Sequence, residues 1–164
     1  MKARRRPAAL PIDAAERRRL PPLLRRAWYG LNQAFRRRIA HLRLTPDQFT
    51  VMRILLEGDP KGMSQRELTQ LMTSDPNTVA SLLERMEAAG FVERAAHEAD
   101  RRANRIRMRA QGKRTYQRAR QEALTLQGEI LSVLPAAKCE EFLRHLSVIA
   151  DRCRAAADTS PKKA

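Results

Sequence analysis

Between Ser64 and Arg109 the chain packs two helix starts, a helix stop and two alternating basic segments into fewer than fifty residues, and this order fixes what the rest can be. Ser64-Gln65-Arg66-Glu67 has capping-box spacing: the Ser side chain accepts an orphan amide of the first turn while the Glu reaches back to the cap. A helix therefore starts there, runs through Leu68, Leu71 and Met72, and stops at Thr73-Ser74, short polar residues that compete for backbone hydrogen bonds. Asp75 suits an N-cap and Pro76 the first helical position, where a missing N–H costs nothing. The second helix turns Val79, Leu82, Leu83 and Met86 inward, and Gly90 is placed to end it in a left-handed conformation. Phe91 to Arg94 and Arg105 to Arg109 alternate like strands around the charged loop His97 to Asn104, with Ile106 and Met108 facing one way and Arg105, Arg107 and Arg109 the other. The predicted unit is a helix-turn-helix with a two-stranded antiparallel wing.

The outward face of the second helix carries Asn77, Thr78, Ser81 and Arg85, with Pro76 and Ala80 beside them. Asn pairs with adenine, Ser and Thr with several bases, and the helix N-terminus offers amides to a phosphate. The bland alternative is a solvated helix face. At the wing, Asp100-Arg101-Arg102 puts two adjacent guanidinium groups on a loop, which suits the narrow, negative minor groove. A basic hairpin is also what a charge-protected edge strand looks like. Beside a helix-turn-helix, DNA contact by Arg101, Arg102 and Arg105 is the better expectation, with Ser64 and Gln65 at the start of the first helix as phosphate contacts.

The run Ser64-Gln65-Arg66-Glu67-Leu68, then Asn77-Thr78-Val79, then Arg85 to Arg94, Asp100-Arg101-Arg102 and Gly112-Lys113 resembles the MarR family of bacterial transcriptional regulators. The likeness extends over about Leu44 to Lys113. Each motif alone is weak; their order and spacing are specific. The resemblance implies a homodimeric winged-helix DNA binder, commonly a repressor released by a small ligand or by oxidation, with the helix from Pro76 in the major groove and Arg102 in the minor groove. Two positions depart from the pattern: Ser81 is often basic in relatives, and Arg109 stands where they commonly have a Thr that caps the next helix.

The net charge of +15 is unevenly distributed. Residues 1–44 hold 13 basic and 2 acidic side chains, 45–96 hold 5 and 8, 97–120 hold 9 and 2, and 121–164 hold 6 and 6. Two basic blocks point to an extended polyanion, and nucleic acid fits better than a membrane because the basic wing has no apolar insertion face. With 4% aromatic residues and abundant Leu, Ala and Arg, the expected fold is mainly α, with the wing as its only sheet.

The expected organisation is a mobile basic arm over 1–20, a dimerisation helix over 21–44, the winged helix-turn-helix over 45–110, C-terminal dimerisation helices over 111–157 and a tail over 158–164. A helix from about Leu23 to His41 carries the stripe Trp28, Leu31, Phe35, Ile39 and Leu42, with Arg36-Arg37-Arg38 at its last turns. Thr45-Pro46-Asp47-Gln48 is a second capping box, starting a helix with Phe49, Met52, Ile54 and Leu55 inward and Gly58-Asp59-Pro60 at its end. After the wing, a helix from about Gln111 carries Tyr116, Ala123, Leu126, Ile130 and Leu134 and is broken by Pro135. In the last helix Cys139, Phe142, Leu146, Ile149 and Cys153 step 3, 4, 3, 4, a heptad seam. The terminal helices offer more apolar surface than the reading domain covers, which points to a homodimer on a palindromic site; an intramolecular bundle is the alternative.

No nucleophile elbow, P-loop or metalloprotease pattern is present, so the chain is not expected to be an enzyme, and no cofactor is implied. His41, His97 and His145 are far apart, and no His/Cys pair has zinc-finger spacing, so no metal site is expected. Trp28, Tyr29, His41 and Tyr116 are the candidates for a small-molecule effector pocket, and core packing explains Trp28 equally well. Cys139 and Cys153 are weak redox candidates, since seam positions favour burial and packing over thiolate chemistry. The first ten residues are basic without an apolar stretch after them, nothing is long and apolar enough to span a bilayer, and two cysteines suit a reducing cytoplasm. The leading expectation is a ligand-relieved DNA-binding repressor. The alternatives are a winged-helix module for an acidic protein partner and a thiol-based redox-responsive regulator.

Overall fold

The computed structural model describes Pro11, Ala14 and residues 17–96 and 104–158. The arm at the start, the wing tip at 97–103 and the tail from 159 lie outside the described residues. The elements are α1 (Leu20–Ile39), a 3-10 turn (Ala40–Leu42), α2 (Pro46–Glu57), β1 (Met63–Ser64), α3 (Gln65–Met72), α4 (Pro76–Ala88), β2 (Val92–Ala96), β3 (Asn104–Met108), α5 (Ala110–Leu131) and α6 (Ala136–Asp158). The fold is mainly helical, as the sequence predicts. Contacts divide it into two compact units, the break falling after Glu122.

In the first unit the local signals do what their chemistry requires. Thr45 accepts from the Gln48 amide while Gln48 Oε1 accepts from the Thr45 amide, and Pro46 occupies the first turn, so α2 starts on a complete capping box. Gly58 ends it, its amide donating to the Ile54 carbonyl. Buried Phe49, Val51, Met52 and Leu55 make α2 the spine of the core. Phe35 of α1 meets Phe49 edge-on at 4.9 Å, and Tyr116 of α5 stacks on its ring at 5.1 Å. Leu68 of α3 and Val79, Leu82, Leu83 and Met86 of α4 close the core from the other side. Each such side chain, fully buried, is worth about 1.5–3 kcal/mol.

Several boundaries differ from expectation. α1 begins at Leu20 rather than Leu23, because Pro21 and Pro22 fall in its first turn, where a missing N–H is harmless. Its stripe is buried only over Phe35 and Ile39, continuing to Leu42 in the 3-10 turn; Trp28 is 65% exposed and Leu31 46%. In α3 the apolar spacing is not buried throughout: Leu71 is 55% exposed, while Leu68 alone of its helix is fully buried. α5 ends at Leu131, four residues before Pro135, since proline disfavours helical backbone in the residue preceding it and a turn over 132–134 intervenes. The wing belongs to a three-stranded antiparallel sheet of order β1-β3-β2 rather than a two-stranded one. Met63 pairs with Ile106 and Ser64 with Arg105 on one side of β3, and Val92, Arg94 and Ala96 pair with Met108, Ile106 and Asn104 on the other. Two residues of β1 are too few to display a period of two in sequence.

The second unit contains the end of α5 and all of α6. Along the α6 seam Cys139, Leu146 and Ile149 are half-buried, Phe142 is 45% exposed and Cys153 is exposed. Among the described residues no helix is long and apolar enough to cross a membrane.

Candidate nucleic-acid interface

The α3–α4 pair is set by its caps. Thr73 closes α3 in the left-handed region at φ 51°, unusual for a β-branched residue, and Asp75 opens α4 two residues later by accepting from the Thr78 amide at 2.9 Å. Gly90, at φ 73°, ends α4 as the sequence predicts, and the Phe91 amide reaches back to the Met86 carbonyl. With Val79, Leu82, Leu83 and Met86 buried on one side, Asn77, Thr78, Ser81 and Arg85 are exposed on the other, and Pro76 is exposed beside them. They form one polar face over three turns. Arg85 Nε donates to the Ser81 carbonyl at 3.2 Å, laying the guanidinium along its own helix.

The helix starts are less available to phosphate than the sequence implies. The Thr78 amide at the head of α4 is spent on Asp75. At the head of α3, Ser64 Oγ accepts from the Glu67 amide at 3.2 Å and donates to Glu67 Oε2 at 2.8 Å, while the Ser64 amide donates to the same carboxylate oxygen at 2.7 Å. Ser64 is thereby committed to its cap, with a carboxylate in front of it. Gln65 beside it is half-buried.

These bonds hold three carboxyl groups below their ordinary range: Asp75 through hydrogen bonds from Thr78, Glu67 through the amide and then the hydroxyl of Ser64, and Asp59 through the Lys61 amide and then the Arg105 guanidinium. In each case the folded chain binds its proton less readily than the unfolded chain does. The stabilisation is thus complete above about pH 4–5, the unfolded carboxylate range, and is lost as pH falls through the lower folded-state values. Thermal melts between pH 7 and 3 are expected to show a decline confined to the acid end, smaller in Asp75→Asn than in the parent. An equal decline in both would mean that the Asp75 cap contributes nothing to it.

In the wing, Arg101 and Arg102 lie outside the described residues. Arg105 does not project as a free contact: its Nη1 donates to Asp59 Oδ2 and to the Gly62 carbonyl, both at 2.8 Å, with 23% of the side chain exposed. Arg107 Nε donates to the Lys61 carbonyl at 2.7 Å, Arg109 Nε to Glu93 at 3.2 Å and Arg94 Nε to Glu87 at 3.1 Å, with the Arg94 amide on the same carboxyl group. The described arginines of the hairpin are therefore tied to the protein itself. Sequence reading took the alternation as an outward basic face and missed Asp59 and Glu87 as the acceptors. Asp59 stands in an Asp-Pro-Lys-Gly turn that reads only as a helix stop.

The proposed effector residues are not gathered into one site. Tyr116 is a core residue stacked on Phe49, whereas Trp28 and Tyr29 are 65% and 61% exposed and His41 is exposed, its Nδ1 2.9 Å from the Arg38 carbonyl. In the second unit a shallow open depression is lined by Leu134, Lys138, Glu141, Phe142 and His145. Cys139 Sγ donates to the Leu131 carbonyl at 3.6 Å, as a small packing residue does. No group of three or more His, Cys, Asp or Glu that could hold a metal ion occurs among the described residues.

A capped helix pair presenting a polar face, with a sheet-rooted hairpin beside it, defines the class of winged helix-turn-helix transcriptional regulators. The MarR family model matches residues 44–103. Transcriptional regulator HosA of Escherichia coli is 30% identical over 127 residues, covering 74% of this chain and 93% of HosA. The chain belongs to the MarR family. HTH-type transcriptional regulator TtmR of Methylorubrum extorquens is 36% identical over 76 residues, and there the match spans only 38% of the relative's length. Among solved structures, the transcriptional repressor CouR bound to a 23-mer DNA duplex superposes with a TM-score of 0.73 at 26% identity, over 80% of this chain and 92% of that one. The Mycobacterium tuberculosis MarR family protein Rv2887 in complex with salicylic acid gives 0.68 at 26% identity, over 83% and 99%. These relatives are regulators rather than enzymes.

Proposed function

We propose that the protein is a homodimeric, sequence-specific double-stranded DNA-binding regulator of the cytoplasm, a repressor whose hold on a palindromic operator is relieved by a small ligand. The observation that carries the reading is the uninterrupted polar face of α4. Asn77 and Thr78 read base edges, Ser81 and Arg85 flank them, and Arg101 and Arg102 bring charge to the minor groove. The partly exposed seam of α6 and the exposed apolar residues of α1 supply the dimer contact, which places two reading helices on two half-sites. Relief by a ligand is supported by Rv2887, solved with salicylic acid, and repression by CouR, a repressor solved on DNA. Trp28, Tyr29 and His41 remain the residues to vary in search of the effector site.

Selection of genomic fragments by the purified protein, followed by footprinting, tests the reading. A shared palindrome with half-sites about one helical turn apart, roughly 10 base pairs, is expected; no enriched palindrome would remove it in favour of an acidic protein partner. On the selected site Asn77→Ala or Thr78→Ala is expected to cost about 1–3 kcal/mol while leaving binding to scrambled duplex nearly unchanged. Arg102→Ala is expected to weaken both together and to flatten the slope of log K against log salt by up to about 2, one contact from each protomer. An unchanged slope and affinity would take the wing off the DNA.

A further inference from the structure

The turn between α2 and β1 is fastened to β3 more firmly than a connection of that length requires. Within four residues, 59–62, it offers a carboxylate and two carbonyls to two arginines of one strand: Asp59 and the Gly62 carbonyl to Arg105, and the Lys61 carbonyl to Arg107. Asp59 also accepts from the Lys61 amide at 2.8 Å, which shapes the turn around the same carboxylate. Gly62 sits at φ 94°, where a Cβ would fall 2.6 Å from the Ile106 carbonyl oxygen and 2.7 Å from Arg107 Cγ, so only glycine lets the turn lie this close to the strand. The pairing of Met63 with Ile106 continues the attachment.

We infer that Asp59 and Arg105 are a positioning pair, in which the Asp59 carboxylate and the Gly62 carbonyl hold the Arg105 guanidinium and so set the direction of the wing relative to α4, without Arg105 itself touching DNA. The inference rests on the DNA-binding reading above. Arg102 lies three residues before Arg105, a chain length that reaches at most about 10 Å, so the direction of β3 at Arg105 governs where the tip charges can be placed. The hydrogen-bonding geometry makes Arg the residue for this position. Both bonds leave from Nη1, which stands one bond further from the backbone than a Lys ammonium nitrogen, and the planar guanidinium fixes the directions of its two N–H groups where an ammonium is a rotating point charge.

Positioning and direct contact predict opposite behaviour. If Arg105 held phosphate, Asp59→Ala would free a cation and remove an anion near DNA, and binding would tighten. Arg105→Lys would then keep the contact, and Arg105→Ala would flatten the salt slope. A clamp predicts instead that Asp59→Ala and Arg105→Ala each weaken binding to the selected site by about fivefold or more, that Arg105→Lys fails to restore it, and that Asp59→Ala, which removes no cation, flattens the salt slope toward that of Arg102→Ala. Amide hydrogen exchange of the DNA-free proteins supplies a second readout: exchange at residues 62–64 and 105–107 is expected to quicken in Asp59→Ala and Arg105→Ala while the α4 amides keep their protection. Parent-like exchange in both variants, or tighter binding by Asp59→Ala, would overturn the pair. Failure of the parent to select any DNA would overturn the functional reading alone, because the exchange comparison needs no DNA.

Discussion

Gly112→Ala is expected to destabilise the fold by about 3 kcal/mol, lowering the melting temperature by roughly 10 °C for a chain of this size. A Cβ on Gly112 would stand 2.2 Å from the Phe91 carbonyl oxygen and 3.0 Å from its carbon. Phe91 is buried, and its carbonyl already accepts the Arg109 amide at 2.9 Å, so the obstacle is backbone held from both sides. Something must move, either the start of α5 or the strand entry after α4. Gly128 provides the matched control in the same helix. Nothing lies within 4 Å of a Cβ there, and the residue is exposed, so Gly128→Ala is expected to stabilise by about 0.5–1 kcal/mol through helix propensity alone. Opposite signs for the two substitutions in parallel melts are the expected result. Destabilisation of less than about 1 kcal/mol at Gly112 would mean that α5 is not seated against Phe91 as described.

The second large effect concerns assembly. Phe142→Glu with Leu146→Glu places two carboxylates on the α6 seam, where the parent leaves one side chain 45% exposed and the other half-buried. In the single chain this is a modest change at the surface; in a dimer it buries unpaired charge at several kcal/mol. The double variant is expected to sediment as a monomer with parental helicity. On the proposed dimer and palindrome, losing the second half-site removes the avidity of a linked pair, so affinity for the full site is expected to fall by about 10²- to 10⁴-fold while binding to a single half-site is retained. A double variant that remains dimeric and helical would move the interface away from α6.

The two predictions draw on features that were unequally visible in the sequence. The caps at Thr45, Ser64 and Asp75, the stop at Gly90 and the buried stripe of α4 are local: each depends on residues within four positions, and the chain states them directly. Gly112 was visible only as part of a family motif, because its reason is a carbonyl 21 residues earlier in the chain. The same holds for Arg105, whose acceptor Asp59 is 46 residues away. An alternating basic strand looks alike whether its arginines meet solvent, phosphate or a turn, since periodicity reports which side a residue faces and not what stands there. The exposure of Trp28 and Leu31 on the α1 stripe has a related cause. A helical stripe defines an apolar direction but not how far along the helix a neighbour continues to cover it.

The carboxylates that start the two helices also bear on how long the protein stays where it does not belong. Residues 45–96 carry more acidic than basic side chains, and Glu67 and Asp75 stand at the very ends that would otherwise welcome a phosphate. On the proposed reading, the helix pair approaches DNA as an acidic body, with the basic blocks over 1–44 and 97–120 providing the attraction. Over random sequence, like charges meet with no base contacts to offset them, and discrimination gains a repulsive component as well as an attractive one. On that same reading, such a body is expected to dissociate early from wrong sites and to dwell where Asn77 and Thr78 find their partners, the caps that hold the helices also shortening the search.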